Sequence, residues 1–217
     1  FFASGFPKSA ILVADGQGPY GDNVISTSLW KARNRHFELI EVPHLGRNGF
    51  IPESIGHFYT AISALSGMQN LHEEGKTMGL AAYGKPSPFL DLFRQYIRSE
   101  DNGLFFIDPS FIYGVFGNTF GPKFYGWKPF PGEAQKIWEE IVALRGTPIR
   151  IDGQDVTQDD MDIAFAGQVI TEEIMLGLVR RLKEQTQERF LCLAGGVALN
   201  CSVNGRLMRS GIFDDIY

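Results

Sequence analysis

The chain has 217 residues, 44% of them hydrophobic and 21% charged, with a net charge of −5. These values exclude a disordered chain, and the acidic balance offers no basic surface for nucleic acid or acidic lipid. No apolar run reaches the roughly 20 residues of a membrane span, so no membrane partner is expected.

Two cysteines, Cys192 and Cys201, are too few for a disulfide framework or a structural zinc site. They point to a reducing compartment, and a cytoplasmic location is expected. The chain opens without Met on Phe1-Phe2-Ala3 and stops at Tyr217 inside an expected strand. It therefore reads as a piece of a longer protein.

The apolar run Ala10-Ile11-Leu12-Val13-Ala14 predicts a strand buried on both faces, ending in a glycine-rich polar loop, Asp15-Gly16-Gln17-Gly18-Pro19. Strands near Ile25–Ala32 and His36–Val42, around the turn Arg33-Asn34-Arg35, complete an antiparallel meander. Pro52 is placed to open a helix carrying Ile55, Phe58, Tyr59, Ile62 and Leu65 at helical spacing, with Gly67 ending it. Asn70–Lys76 reads as a loop and Met78–Tyr83 as a short helical turn. Ser87 reads as the cap of a helix over Phe89–Arg98. Residues 99–150 read as an irregular, aromatic-rich insertion with one helix near Glu133–Leu144.

The clearest helix runs from Asp162 to about Thr186, with Ile163, Ala166, Ile170, Ile174, Leu178 and Leu182 on one face. A buried strand Phe190–Ala194, the turn Gly195-Gly196, a helix from about Leu199 to Arg209 and a strand Phe213–Tyr217 follow. That order is an α/β crossover.

Four features carry candidate chemistry. Gly195-Gly196, between a strand and a helix, would point backbone N–H groups at an anion, and Asn200 offers a donor and an acceptor. A tight turn with no ligand explains the same residues. Asp15, at a strand end beside Gly16 and Gly18, could hold a metal or simply start a turn. Glu74-Gly75-Lys76 could meet a ribose and a phosphate, or form a solvated loop. His36, His44, His57 and His72 lack paired ligand spacing and read as structural. Cys192 reads as core, and Cys201 has no histidine partner in view.

Two segments together are more specific. Glu74-Gly75-Lys76-Thr77-Met78-Gly79-Leu80-Ala81-Ala82-Tyr83-Gly84-Lys85-Pro86 resembles the EGK-x-MGLA-x-YGKP signature of the carbamoyltransferase family, which includes NodU and the O-carbamoyltransferases of antibiotic biosynthesis. Cys192–Cys201, continued by Asn204-Gly205-Arg206-Leu207, resembles its second signature. Pro52–Tyr59 is similar to its PHSLGxFY segment, with Glu53 in place of His, and Val13-Ala14-Asp15-Gly16 to its VVDG strand end.

The resemblance implies an α/β fold of the actin/sugar-kinase/Hsp70-ATPase (ribonuclease H-like) type, incomplete, with an aromatic-rich insertion. The chain would be a fragment of the N-terminal carbamoyl-transfer domain, without the C-terminal YrdC-like domain. That second domain makes carbamoyladenylate from carbamoyl phosphate and ATP, and the domain resembled here passes the carbamoyl group to an acceptor hydroxyl.

By the same resemblance, Asp15 would bind a divalent metal, Fe2+, and Gly16, Gly18, Gly195, Gly196 and Asn200 would hold the adenylate. Gly75 would approach the ribose, flanked by Glu74 and Lys76. The ribose-binding Asp of the related tRNA-modifying enzymes falls near Thr60 here and does not carry over. The family's HHxxHA motif would precede Phe1 and its GDxGxAxGA motif would follow Tyr217. The fragment alone is therefore expected to bind metal poorly and to be inactive. The alternatives are a kinase or ATPase of the same superfamily, or a noncatalytic binding module that keeps the fold. The expected partner is a small-molecule hydroxyl acceptor, with its identity and the oligomeric state left open.

Overall fold

The computed structural model describes residues 1–46, 49–70, 72–121, 132–151 and 154–217. Phe124, Tyr125 and Trp127, three of the aromatics in the expected insertion, lie outside them. The chain divides into two compact units. Unit 1 comprises residues 1–56, 99–105 and 171–217, and unit 2 residues 57–98 and 106–170.

Unit 1 is built on a five-stranded mixed sheet. Its strands are β1 (Lys8–Tyr20), β2 (Asn23–Arg33), β3 (His36–Glu41), β6 (Phe190–Ala194) and β7 (Asp215–Ile216), in the order β3-β2-β1-β6-β7. The first three form the expected antiparallel meander, and β6 and β7 add in parallel on the other side of β1. Helix α7 (Cys201–Ser210) connects these last two, so the crossover read from the sequence is present. Ala10, Leu12 and Ala14 are buried, and so are Ile11 and Cys192 from the opposite pleat. Ile11, Ala32 and Cys192 form a cluster with Phe1, Phe6, Val13 and Trp30 packed on it. Burial on both faces is what the unbroken apolar run in β1 required.

The first strand is longer than expected. β1 runs through the glycine-rich segment to Tyr20, and its register with β2 slips between Ala14 and Gly18. Asp15, Gly16 and Gln17 thus form a bulge inside a strand rather than a loop after it.

Unit 2 is mainly helical. It contains most of α1 (Ile55–Leu65), together with α2 (Glu74–Ala81), α3 (Pro88–Tyr96), α4 (Pro109–Thr119) and α5 (Gly132–Arg145). The long α6 (Gln158–Thr186) gives its first part to unit 2 and the rest, from Thr171, to unit 1. A hairpin of β4 (Ile97–Ser99) and β5 (Phe105–Ile107) lies where the chain passes between the segments of the two units.

Residues 99–150 are more regular than read. Asp108 caps α4, its Oδ1 accepting from Ser110 N at 2.8 Å, and Pro109 follows at the first helical position. The aromatic bulk does pack. Phe58, Phe93, Phe111 and Phe116 are buried, with the Phe93 and Phe111 rings edge-to-face at 5.6 Å. A Cβ at Gly114 of α4 would lie 2.3 Å from Ala134 O of α5, so that glycine allows the two helices to touch.

Smaller expectations are corrected as well. Helix α1 begins at Ile55, not Pro52, and Ser54 turns back to hydrogen-bond Pro52 O. Ser87 occupies the N-cap position of α3 but makes no side-chain cap bond.

A buried ionic group holds unit 2 at the start of α6. Asp160 accepts from Thr157 N and Oγ1 through Oδ2, both at 2.8 Å, and pairs with Arg145 at 2.6 Å and Arg150 at 3.6 Å. Arg145 Nη1 donates to Leu65 O and Arg150 Nη2 to Ser66 O, so the two guanidiniums satisfy carbonyls at the end of α1.

Candidate functional site

The densest group of sequence-predicted residues lies in unit 1. β1 and β6 are parallel neighbours, with Val13 opposite Ala194, so the Asp15 bulge within β1 lies beside the Gly195-Gly196 turn at the carboxyl end of β6. Open α/β sheets bind their ligands there. Close packing requires glycine at position 195 and leaves little room at position 196. Gly195 has φ +90°, and a Cβ there would lie 2.2 Å from Ala14 O. A Cβ at Gly196 would lie 3.0 Å from Asp15 Oδ1, so the carboxylate sits directly against the turn.

Asp15 is exposed. Its Oδ1 accepts from Gly16 N at 2.7 Å, while Oδ2 has no hydrogen bond among the described residues. Gly16 lies against Gly56: a Cβ on Gly56 would come 2.5 Å from Gly16 N and 2.7 Å from Asp15 C. Gly18 has open space around its Cβ position.

After the turn, a single 3-10 turn over Gly196–Leu199 leads into α7. Asn200 is buried and caps α7, its Oδ1 accepting from Val203 N at 3.0 Å. The structure thus gives that oxygen a local task, and helix α7 starts at Cys201 rather than Leu199. Cys201 is exposed and Cys192 buried.

The Glu74-Gly75-Lys76 group lies in unit 2. It forms the first turn of α2, where the sequence reading had a loop. A carboxylate there is favoured by the helix dipole. Glu74 Oε1 accepts from Thr60 Oγ1 at 2.7 Å. Glu73 pairs with Lys76 at 2.5 Å and accepts from Asn70 N, and the Lys76 hydrogen bond holds the Glu73 carboxyl below the ordinary carboxylate range. Gly75 and Gly79 have nothing within 4 Å of a Cβ position. Gly84 differs: its Cβ would meet Met161 O at 2.1 Å, and Lys85 N donates to Asp162 Oδ1 at 3.0 Å, so the end of the same signature has a packing task.

The histidines show no shared centre. His57 is buried and edge-on to Phe116 at 5.8 Å, and His44 Nε2 lies 3.1 Å from Phe105 O. Among the described residues no group of three or more His, Cys, Asp or Glu could hold a metal. Asp15 supplies one carboxylate, which alone does not fit a transition metal.

Two residues at this place belong to the Pro52–Tyr59 segment, to which the sequence reading gave no role in the site. Ser54, fully buried, donates through Oγ to Gly16 O at 2.5 Å and Asp15 O at 3.1 Å. Gly56, two residues on, makes the close approach to the bulge.

Comparison with known proteins agrees with the signatures. Residues 1–108 and 133–217 match the family described as carbamoyltransferase N-terminus. Over 218 residues the chain is 34% identical to an uncharacterized protein, sll1178, of a Synechocystis species, covering 100% of this chain and 31% of that protein. It is 32% identical over 219 residues to nodulation protein NolNO of Sinorhizobium fredii, covering 100% of this chain and 26% of the relative. For nodulation protein NolO of Bradyrhizobium diazoefficiens the identity is 30% over 217 residues, covering 100% of this chain and 33% of the relative. The chain thus spans about a third or less of the length of these relatives. Among the described residues no helix is long and apolar enough to cross a membrane. With both signatures in place and the family match running through both units, the chain belongs to the carbamoyltransferase N-terminus family.

Proposed function

We infer that the whole protein is an O-carbamoyltransferase and that unit 1 of this chain holds the adenylate end of a carbamoyladenylate donor. The observation that carries the reading is the juxtaposition of the Asp15 bulge with the Gly195-Gly196 turn, at the carboxyl end of β6 and ahead of the 3-10 turn that leads into α7. The meander followed by a parallel crossover supports the actin/sugar-kinase/Hsp70-like architecture that the signatures imply.

The transfer itself is an acyl substitution. The acceptor hydroxyl oxygen bonds to the carbamoyl carbon, the bond from that carbon to the phosphate oxygen breaks, AMP leaves and the hydroxyl proton is lost to a base. AMP is a good leaving group, so the protein's task is to bind and orient. In this reading the first-turn N–H groups after Gly195 donate to the phosphate, and the Asp15 carboxylate beside the turn, itself an anion, requires a bound cation between it and the phosphate. A divalent metal at Asp15 would need further ligands from outside the described residues. Gly75, on an exposed helical turn of unit 2, has open space beside it. The donor is formed from carbamoyl phosphate and ATP. The acceptor is a small-molecule hydroxyl of the kind used in antibiotic or nodulation-factor biosynthesis, and two of the relatives are named nodulation proteins.

Incubating full-length protein with carbamoyl phosphate, ATP and a panel of hydroxyl acceptors tests the reading. An acceptor that gains one carbamoyl group, with AMP released and the yield lost in Asp15→Ala, is the expected result. Wild-type transfer by Asp15→Ala contradicts the assignment of Asp15.

A further inference from the structure

The bulge that carries Asp15 has left the β2 ladder, so its backbone groups need other partners. Two of its carbonyls, Asp15 O and Gly16 O, are met by one hydroxyl, that of the fully buried Ser54. On the same side, the Cα of Gly56 lies so close that any Cβ would come within 2.7 Å of three backbone atoms: Gly16 N, Gly16 Cα and Asp15 C. Backbone cannot yield as a flexible side-chain tip can. Gly195 makes a similar approach to Ala14 O, one residue before the bulge.

We propose that Ser54 and Gly56 are positioning residues for the donor site: they clamp the Asp15–Gln17 bulge against the Gly195-Gly196 turn and so set the gap that takes the adenylate phosphate. The inference rests on the reading of that turn given above, and it adds residues separated from Asp15 by about forty positions in the chain.

The clamp works by distance. Ser54 holds the carbonyls, which turns the peptide planes of the bulge and directs Gly16 N to Asp15 Oδ1. That bond places Oδ1 beside the Gly196 position, 3.0 Å from where a Cβ would stand. A methyl group on Gly56 would drive the Asp15–Gly16 backbone towards Gly196, and a displacement of about 1 Å in a positioning element can cost on the order of 100-fold in rate. Neither residue need touch the ligand for this effect.

The probe is AMP, titrated calorimetrically into the full-length protein below its melting temperature. Gly196→Val defines the part of the binding that belongs to this turn. Gly56→Ala and Ser54→Ala are each expected to weaken that part by ~10-fold or more. Ser54→Thr, which keeps the donor, retains tighter binding than Ser54→Ala. Gly114→Ala serves as the structural control, because its Cβ would meet Ala134 O at 2.3 Å in unit 2; it lowers the melting temperature and leaves AMP affinity unchanged.

If Gly196→Val weakens AMP binding but Gly56→Ala and Ser54→Ala do not, the clamp is wrong while the turn stands. Equal loss in Ser54→Thr and Ser54→Ala also overturns the clamp. If Gly196→Val leaves AMP binding unchanged, the reading of the turn falls and the clamp with it.

Discussion

The glycines of the Asp15 region and those of helix α2 are there for opposite reasons. Around Asp15, Gly18 stands open, but Gly56 and Gly195 have backbone where a Cβ would stand and Gly196 has Asp15 Oδ1 3.0 Å from that position. In α2, Gly75 and Gly79 have nothing within 4 Å, although a glycine in a helix costs up to about 1 kcal/mol relative to alanine. The first set is explained by the chain's own packing. The second is left without a packing reason, and a ligand that needs close approach supplies one. A glycine signature therefore mixes two kinds of residue, and only the space around each tells them apart.

That comparison can be broken by substitution. The largest effect is expected not at a glycine but at the buried charge of unit 2. Asp160→Asn leaves Arg145 and Arg150 without their counter-ion and should destabilise the protein by ~3–5 kcal/mol in urea unfolding. Next is Gly195→Ala, which combines a positive φ with a contact to Ala14 O; a loss of ~1–3 kcal/mol is expected, and a neutral result would mean that the turn is not fixed by packing. Gly75→Ala should act in the other direction, raising stability by up to ~1 kcal/mol while weakening donor binding. Destabilisation by Gly75→Ala would show that its glycine serves the fold after all.

The smallest effect concerns pH. The hydrogen bond from Arg181 holds the Glu41 carboxyl below its ordinary value of 4.5. With the folded value lowered, the stabilisation is fully present above the unfolded value. It is lost as pH falls through the folded one. Glu41 and Arg181 are partly exposed, so Glu41→Gln should cost under ~1 kcal/mol at neutral pH and nothing in strong acid. A penalty that persists in acid would point to packing rather than charge.

Much of unit 1 was legible in the sequence because it is written locally. The run Ala10–Ala14 and the strand Phe190–Ala194 are short apolar segments between polar turns, and the helix over 162–186 has a clean period. The bulge was not legible, since a slip of register depends on the partner strand. Ser54 and Gly56 stood inside the Pro52–Tyr59 signature, but their contacts, with residues about forty positions away, were not legible. Helix α4 could have been found: Asp108-Pro109-Ser110 is a cap followed by proline, but the density of aromatics around it read as irregular chain. The candidate site residues came from their signatures, and the geometry separates them by surroundings. Gly195 and Gly196 sit against neighbours, Asn200 caps a helix, and Gly75 stands open.

The most direct test is a crystal structure of the full-length protein with AMP bound. The account predicts the AMP phosphate within hydrogen-bond reach of the backbone N–H groups that follow Gly195, beside the Asp15 carboxylate. A nucleotide-loaded protein in which this turn is vacant, with AMP held only elsewhere, would contradict it.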